Sequence, residues 1–342
     1  MPVNWTDTQP FGIRDLEENA ATRYALNSQY SLLRANSIRC CIRGCNRWLS
    51  KRRRGLSDPN TFCPDHGISV STSPTYIYED LRRNFIIDLN ILNQVVPLKV
   101  ESWRLVNENS EDAVSWNVFM ALAGLKGLAA AFRHLTGIEI DTEPELYLWG
   151  ISVLAQQPYV WPKLVEVRRD LENGVGIPTE PDIILRVPGR AVVLIEAKFG
   201  SPNGTMKGQE ERFGTVGEFL DRYPACEDRL DPLNRQWIEE QSPEVVLQQL
   251  IRNVIFAQWL ADEGEIPFVV NLVRDADEVD VANRMANHLS ENGPVKFRRA
   301  TWEGLSQLAL LGQPGATPLR SYFQNKTNKL AKAFFQVQVG EG

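Results

Sequence analysis

No uninterrupted apolar run in this chain reaches the length needed to cross a bilayer, and Met1 to Pro10 lacks a basic region followed by an apolar core. The expectation is a cytoplasmic protein with no membrane partner. Excess positive charge is also missing. The net charge of −6 excludes a uniformly basic coat and makes any contact with nucleic acid local. No internal repeat or low-complexity tract occurs. The glycine-rich stretch from Gly200 to Gly208 lacks the Gly-Lys-Ser/Thr ending of a nucleotide P-loop, so ATP binding has no support. Cysteines number five, and a cytosolic chain would not keep them as disulfides. What is left is a globular chain of 342 residues, 43% apolar, with a sizeable core and room for one large domain and a small one, or two of ordinary size.

The most informative stretch runs from Glu180 to Gly200. Two apolar runs, Ile183 to Leu185 and Ala191 to Ile195, flank Pro188-Gly189, which predicts a β-hairpin buried on both faces. With Pro188, Gly189 and Arg190 as the loop, residue numbers pair symmetrically about Gly189, and Asp182 falls opposite Glu196. Side chains alternate along a strand, so Glu196 and Lys198 share a face while Ile195 and Ala197 point to the other. Crowded carboxylates repel and are costly to desolvate, which calls for a divalent cation. Oxygen-only ligands favour a hard ion such as Mg²⁺ or Mn²⁺. A lysine beside that ion can orient or help deprotonate a water, or offset charge developing on a phosphate. Phosphodiester hydrolysis is the reaction such a set suits.

Pro181-Asp182 followed by Glu196-Ala197-Lys198 resembles the PD-(D/E)xK nuclease signature. The resemblance implies an α/β fold with a restriction-endonuclease-like core, a mixed central sheet flanked by helices, and Mg²⁺-dependent cleavage of DNA or, less often, RNA. Many members of this superfamily place a glutamate on a helix before the hairpin, and Glu111-Asp-Ala-Val-Ser is similar to one form of that motif. Glu111 is thereby a third acidic candidate, with a plain helix-terminal acid as the alternative. A glutamine or arginine on the helix after the ExK strand supports the site in several members, which carries over to Gln249 and Arg252.

Near the N-terminus, Cys40, Cys41 and Cys45 precede Cys63-Pro-Asp-His66, giving two knuckles of three thiolates and one imidazole. That is a closed structural zinc site in which either Cys40 or Cys41 serves as first ligand. A basic run from Arg34 to Arg54 carries no acid and includes Lys51, Arg52 and Arg53, with Trp48 interleaved. It suits phosphate contacts, or is a solvated loop.

Elsewhere the pattern predicts a helix over Phe11 to Leu33, a short helix over Tyr78 to Asn84, and a helix after an Asn109 or Ser110 cap with Val114, Val118 and Leu122 on a core-facing stripe. Helices are also expected over Pro243 to Ala261, Val279 to Leu289, Ala300 to Leu311 and Leu319 to Phe335, and a buried strand over Pro267 to Val273 beside the hairpin. The expected division is an N-terminal segment (1–35), a zinc-ribbon-like module (36–75), a connection (76–101), the nuclease core (102–290) and a helical extension (291–342). A catalytically inactive nucleic-acid-binding or interaction protein acting through its zinc module is the alternative, against which the intact Asp182, Glu196 and Lys198 speak. A homo-oligomer stays open.

Overall fold

The computed structural model describes residues 37–40, 45–50, 61–70, 76–100, 102–107, 110–172, 178–199, 201–325, 327–328 and 332–333. The expected helix over Phe11 to Leu33, Cys41, and the basic residues Lys51, Arg52 and Arg53 lie outside them.

Strands β1 (Ser37–Arg39) and β2 (Trp48–Ser50) pair antiparallel, and β3 (Phe62–Cys63), β4 (Ile68–Val70) and β5 (Tyr76–Tyr78) form a second small sheet. Ser69, in the middle of β4, is paired with Phe62 on one side and Ile77 on the other. A 3-10 turn follows at Leu81–Asn84, then α1 (Leu89–Val95). Next come α2 (Glu111–Gly124) and α3 (Leu128–Thr136), separated where Gly124 and Gly127 interrupt the helical pattern. The remaining elements in order are β6 (Glu145–Leu148), β7 (Ile151–Ser152), β8 (Tyr159–Val160) and α4 (Pro162–Leu171). They are followed by β9 (Ile183–Val187), β10 (Ala191–Ala197), α5 (Glu210–Phe213), α6 (Val216–Arg222) and α7 (Arg235–Glu239). The C-terminal part holds α8 (Gln248–Leu260), β11 (Ile266–Val273), α9 (Val281–His288), β12 (Lys296–Thr301), α10 (Trp302–Ser306) and α11 (Thr317–Asn325). Two short paired strands, β13 (Thr327–Asn328) and β14 (Lys332–Ala333), come last.

The described residues fall into two compact units. One comprises those of 1–90, 101–125 and 306–342, and the other those of 91–100 and 126–305. Residues 102–125, grouped in the sequence reading with the hairpin, therefore belong with the N-terminal module, and 291–305 belong with the sheet. The cause in the first unit is hydrogen bonding around α2. Asn117 accepts from Ile86 N at 2.9 Å and donates to Asn84 O at 2.8 Å, while the Trp116 indole donates to Ile87 O at 3.0 Å. Consequently α2 is buried on all sides from Asp112 to Leu122, not along a single stripe. Ser110, rather than Asn109, caps it, accepting from Ala113 N at 3.2 Å.

The second unit is built on a mixed seven-stranded sheet in the order β12-β11-β10-β9-β6-β7-β8. The central hairpin is antiparallel, with Ile195 facing Ile183 and Val187 facing Ala191. Its turn closes through Arg190 N to Val187 O at 2.9 Å, and Gly189 takes the left-handed conformation (φ 71°) that a three-residue loop demands. β10 is buried at every position and pairs parallel with β11, which pairs parallel with β12. The long excursion between β10 and β11 is what lets them run parallel. Its last element, α8, packs across both strands.

Three elements differ from the sequence reading. Residues 243–247 precede α8 instead of opening it. Lys296–Thr301 is a strand, and the helix after it is only Trp302–Ser306. The helix expected to run from Leu319 to Phe335 stops at Asn325, and Thr327–Asn328 and Lys332–Ala333 are the paired strands β13 and β14. Glu166, Arg168 and Arg169 lie on α4. Among the described residues no single helix is long and apolar enough to cross a membrane.

Candidate active site and metal-ligand cluster

Asp182 immediately precedes β9, Glu196 lies in β10, and Lys198 follows directly after β10. Continuing the hairpin register by one pair sets Asp182 beside Glu196, and the Asp182 carboxylate accepts from Ala197 N at 2.8 Å. Lys198 Nζ donates to Glu196 Oε1 at 2.6 Å, as expected of two side chains two residues apart on one strand face. This ion pair is nearly enclosed, with side-chain exposures of 7% and 10%. The main chain of Lys198 is gripped from both sides: its N–H donates to Leu272 O at 2.8 Å and its carbonyl accepts from the Trp302 indole at 3.0 Å.

Neighbouring elements hold the acidic residues in place. Trp149 N donates to Asp182 O at 3.1 Å from the β6–β7 turn, where Trp149 (φ 57°) and Gly150 (φ 79°) are both left-handed. Lys99 Nζ lies 4.8 Å from the centre of the Trp149 ring and donates to Glu180 Oε2 at 2.7 Å, two residues before Asp182. On the far side of β10, the buried Asn271 of β11 donates to Glu196 O at 3.2 Å and pairs amide to amide with Asn203 at 2.8 and 3.0 Å.

Of the two α8 residues carried over from the resemblance, Gln249 accepts from Gly204 N at 2.8 Å, pinning the loop after Lys198. Arg252 donates to Thr179 Oγ1 at 3.0 Å and faces the Phe213 ring. Thr179 also bonds Glu172, which accepts from Tyr223 OH at 3.0 Å. Burial first, and then the charge of Glu172, push the Tyr223 hydroxyl up to about 12, so it stays a protonated donor. Arg252 thus steadies the segment that leads into Asp182. The α8 side chain that reaches Glu196 is Asn253, whose Nδ2 donates to Oε2 at 2.8 Å. Sequence reasoning missed it, although Asn253 follows Gln249 by four residues and so shares its helix face. Glu111 opens α2 in the first unit.

A second cluster lies in the first unit. Cys40, Cys45, Cys63 and His66 bring their ligand atoms within 4.8 Å of one another, with Cys40 in the first position. Cys40 Sγ is 3.6 Å from His66 Nδ1, Cys63 Sγ is 3.3 Å from His66 Nδ1, and Cys45 Sγ is 3.9 Å from Cys63 Sγ. A tetrahedral shell with zinc–sulfur bonds of about 2.3 Å and zinc–nitrogen bonds of about 2.0 Å spaces its ligand atoms about 3.5–3.8 Å apart. The four residues therefore fit a metal such as zinc. The knuckle from Cys63 to Gly67 turns back on itself, with Gly67 N donating to Cys63 O at 2.8 Å. Burial pushes the Cys63 thiol up from its ordinary value, so a thiolate there needs a cation beside it.

No protein-family model, curated protein or solved structure matches the chain.

Proposed function

We propose that this protein is a Mg²⁺- or Mn²⁺-dependent nuclease with a restriction-endonuclease-like core, acting on DNA in preference to RNA, and that its Cys3His cluster holds a structural zinc ion. The observation that carries the reading is the meeting of Asp182, Glu196 and Lys198 at one end of the hairpin, with Lys198 Nζ 2.6 Å from Glu196 Oε1. Two carboxylates with hard oxygen donors match Mg²⁺, which binds through one or two such groups and completes its shell with water and substrate phosphate. When bound, that ion supplies Lewis-acid stabilisation of the phosphate and acidifies a water. Asp182 and Glu196 hold it at the strand ends. Lys198 orients the attacking water and offsets the charge that develops on the phosphate. Asn271 and Trp149 hold the main-chain carbonyls of Glu196 and Asp182 and so fix the strand ends that carry the two carboxylates.

The test is incubation of the purified protein with labelled DNA and RNA in Mg²⁺, Mn²⁺ or EDTA. Wild type should cut only with metal. Lys198→Ala should lower cleavage roughly 10²-fold or more while leaving nucleic-acid binding intact. Asp182→Asn should abolish cleavage and also weaken metal binding. Variants that cut at the wild-type rate would show that the site is elsewhere. A wild type that binds nucleic acid but cuts nothing under any divalent metal would favour the inactive binding protein.

A further inference from the structure

We infer that Asn253 is a positioning residue for Glu196, fixing the orientation of its carboxylate toward the divalent cation; the inference rests on the nuclease reading above and deepens it. Asn253 lies in the middle of α8, is 2% exposed, and sits among Ile251, Val254 and Ile255, all wholly buried. An amide in such surroundings is costly unless partnered. Its Nδ2 is spent on Glu196 Oε2 at 2.8 Å, while Lys198 Nζ takes Oε1 at 2.6 Å. One donor on each oxygen fixes the terminal torsion of a glutamate, which is otherwise broad. A carboxylate offers about four acceptor sites, so two donors leave lone pairs for a cation.

The chemistry of the donor matters as much as its place. A neutral amide orients the carboxylate without cancelling the charge that attracts the metal. A second ammonium in its place would cancel it. Asn271 complements this arrangement by holding the main-chain carbonyl of the same residue at 3.2 Å. Glu196 is thereby fixed at both backbone and side chain before any cation arrives. Residues that orient a metal ligand in this way typically contribute about 10- to 100-fold to metal affinity or activity.

The full-length protein is titrated with Mn²⁺ by calorimetry, and cleavage is measured against Mn²⁺ concentration. Asn253→Leu removes the donor while keeping the number of side-chain heavy atoms, and Asn253→Ala removes it without added apolar bulk, in case the first variant folds poorly. Both should bind Mn²⁺ about 10- to 100-fold more weakly. Cleavage should recover most of its maximal rate once Mn²⁺ is raised in proportion, because the reacting groups are unchanged. Ile251→Val, which thins the packing of the same helix, should leave Mn²⁺ affinity at the wild-type value. Wild-type affinity in both Asn253 variants overturns the assignment of Asn253 alone. A loss of affinity in Ile251→Val equal to theirs also overturns it, since helix packing would then be the cause. A wild type that binds no Mn²⁺ and cuts nothing overturns the nuclease reading and this inference with it.

Discussion

Trp149 is the residue at which backbone geometry and the candidate site meet. A two-residue hairpin loop with both residues left-handed is usually filled by Asn-Gly, because a side chain with a Cβ is strained there. Here the first position is a tryptophan at φ 57° and 1% exposure, whose N–H holds Asp182 O. The strain is about 1–2 kcal/mol, and burial of the indole offsets it. Trp149→Gly and Trp149→Ala lose the same ring, but only alanine keeps the strained Cβ. Trp149→Gly should therefore be more stable than Trp149→Ala by about 1 kcal/mol, the reverse of the ordinary order for these residues. Urea denaturation midpoints of the two variants, at equal slope, measure this. Alanine equal to or above glycine would mean that the turn relaxes when the ring is removed.

Among the elements, the central hairpin was legible because its signals are local. Pro188-Gly189 marks the turn, the flanking runs are continuous, and the numbering alone sets the register. The metal knuckles were legible for the same reason, and among the described residues Cys40 takes the first ligand position. What could not be read depends on distant partners. Asn253 meets Glu196 from 57 positions along the chain, and a polar residue in an apolar helix looks the same whether or not it has a partner. Likewise α2 shows an apolar stripe, yet its opposite side is also buried, because Asn117 and Trp116 bond the 84–87 segment. The knuckle elements carry their own prediction. Purified protein should contain about one zinc per chain, and Cys63→Ser or a strong chelator should remove it. Hydrogen exchange should then rise across residues 37–40, 45–50 and 61–70 and stay low in β10 and β11. Zinc-free protein with unchanged protection would remove the cluster's structural role.

At the scale of the whole molecule, a net charge of −6 on 342 residues favours solubility but does not protect an open sheet from its own edges. Among the described residues β8 and β12 are the two outer strands of the large sheet, and each leaves one row of backbone groups without a neighbouring strand. β8 spans only Tyr159–Val160, between Pro158 and Pro162, which cannot donate to an added strand. β12 is longer, but its exposed positions include Lys296 and Arg298. Short length, proline and positive charge are devices that stop one sheet from templating another. Lys296→Val combined with Arg298→Val should change folding stability by no more than about 0.5 kcal/mol. Light scattering at 37 °C should nonetheless grow faster than for wild type, because the altered edge invites a second copy to add its own strand. Unchanged scattering would mean that the edge is covered by other means. In this reading the two exposed cations on β12 do for the protein in a crowded cell what they do not do for its fold: they keep each sheet a closed community of its own strands.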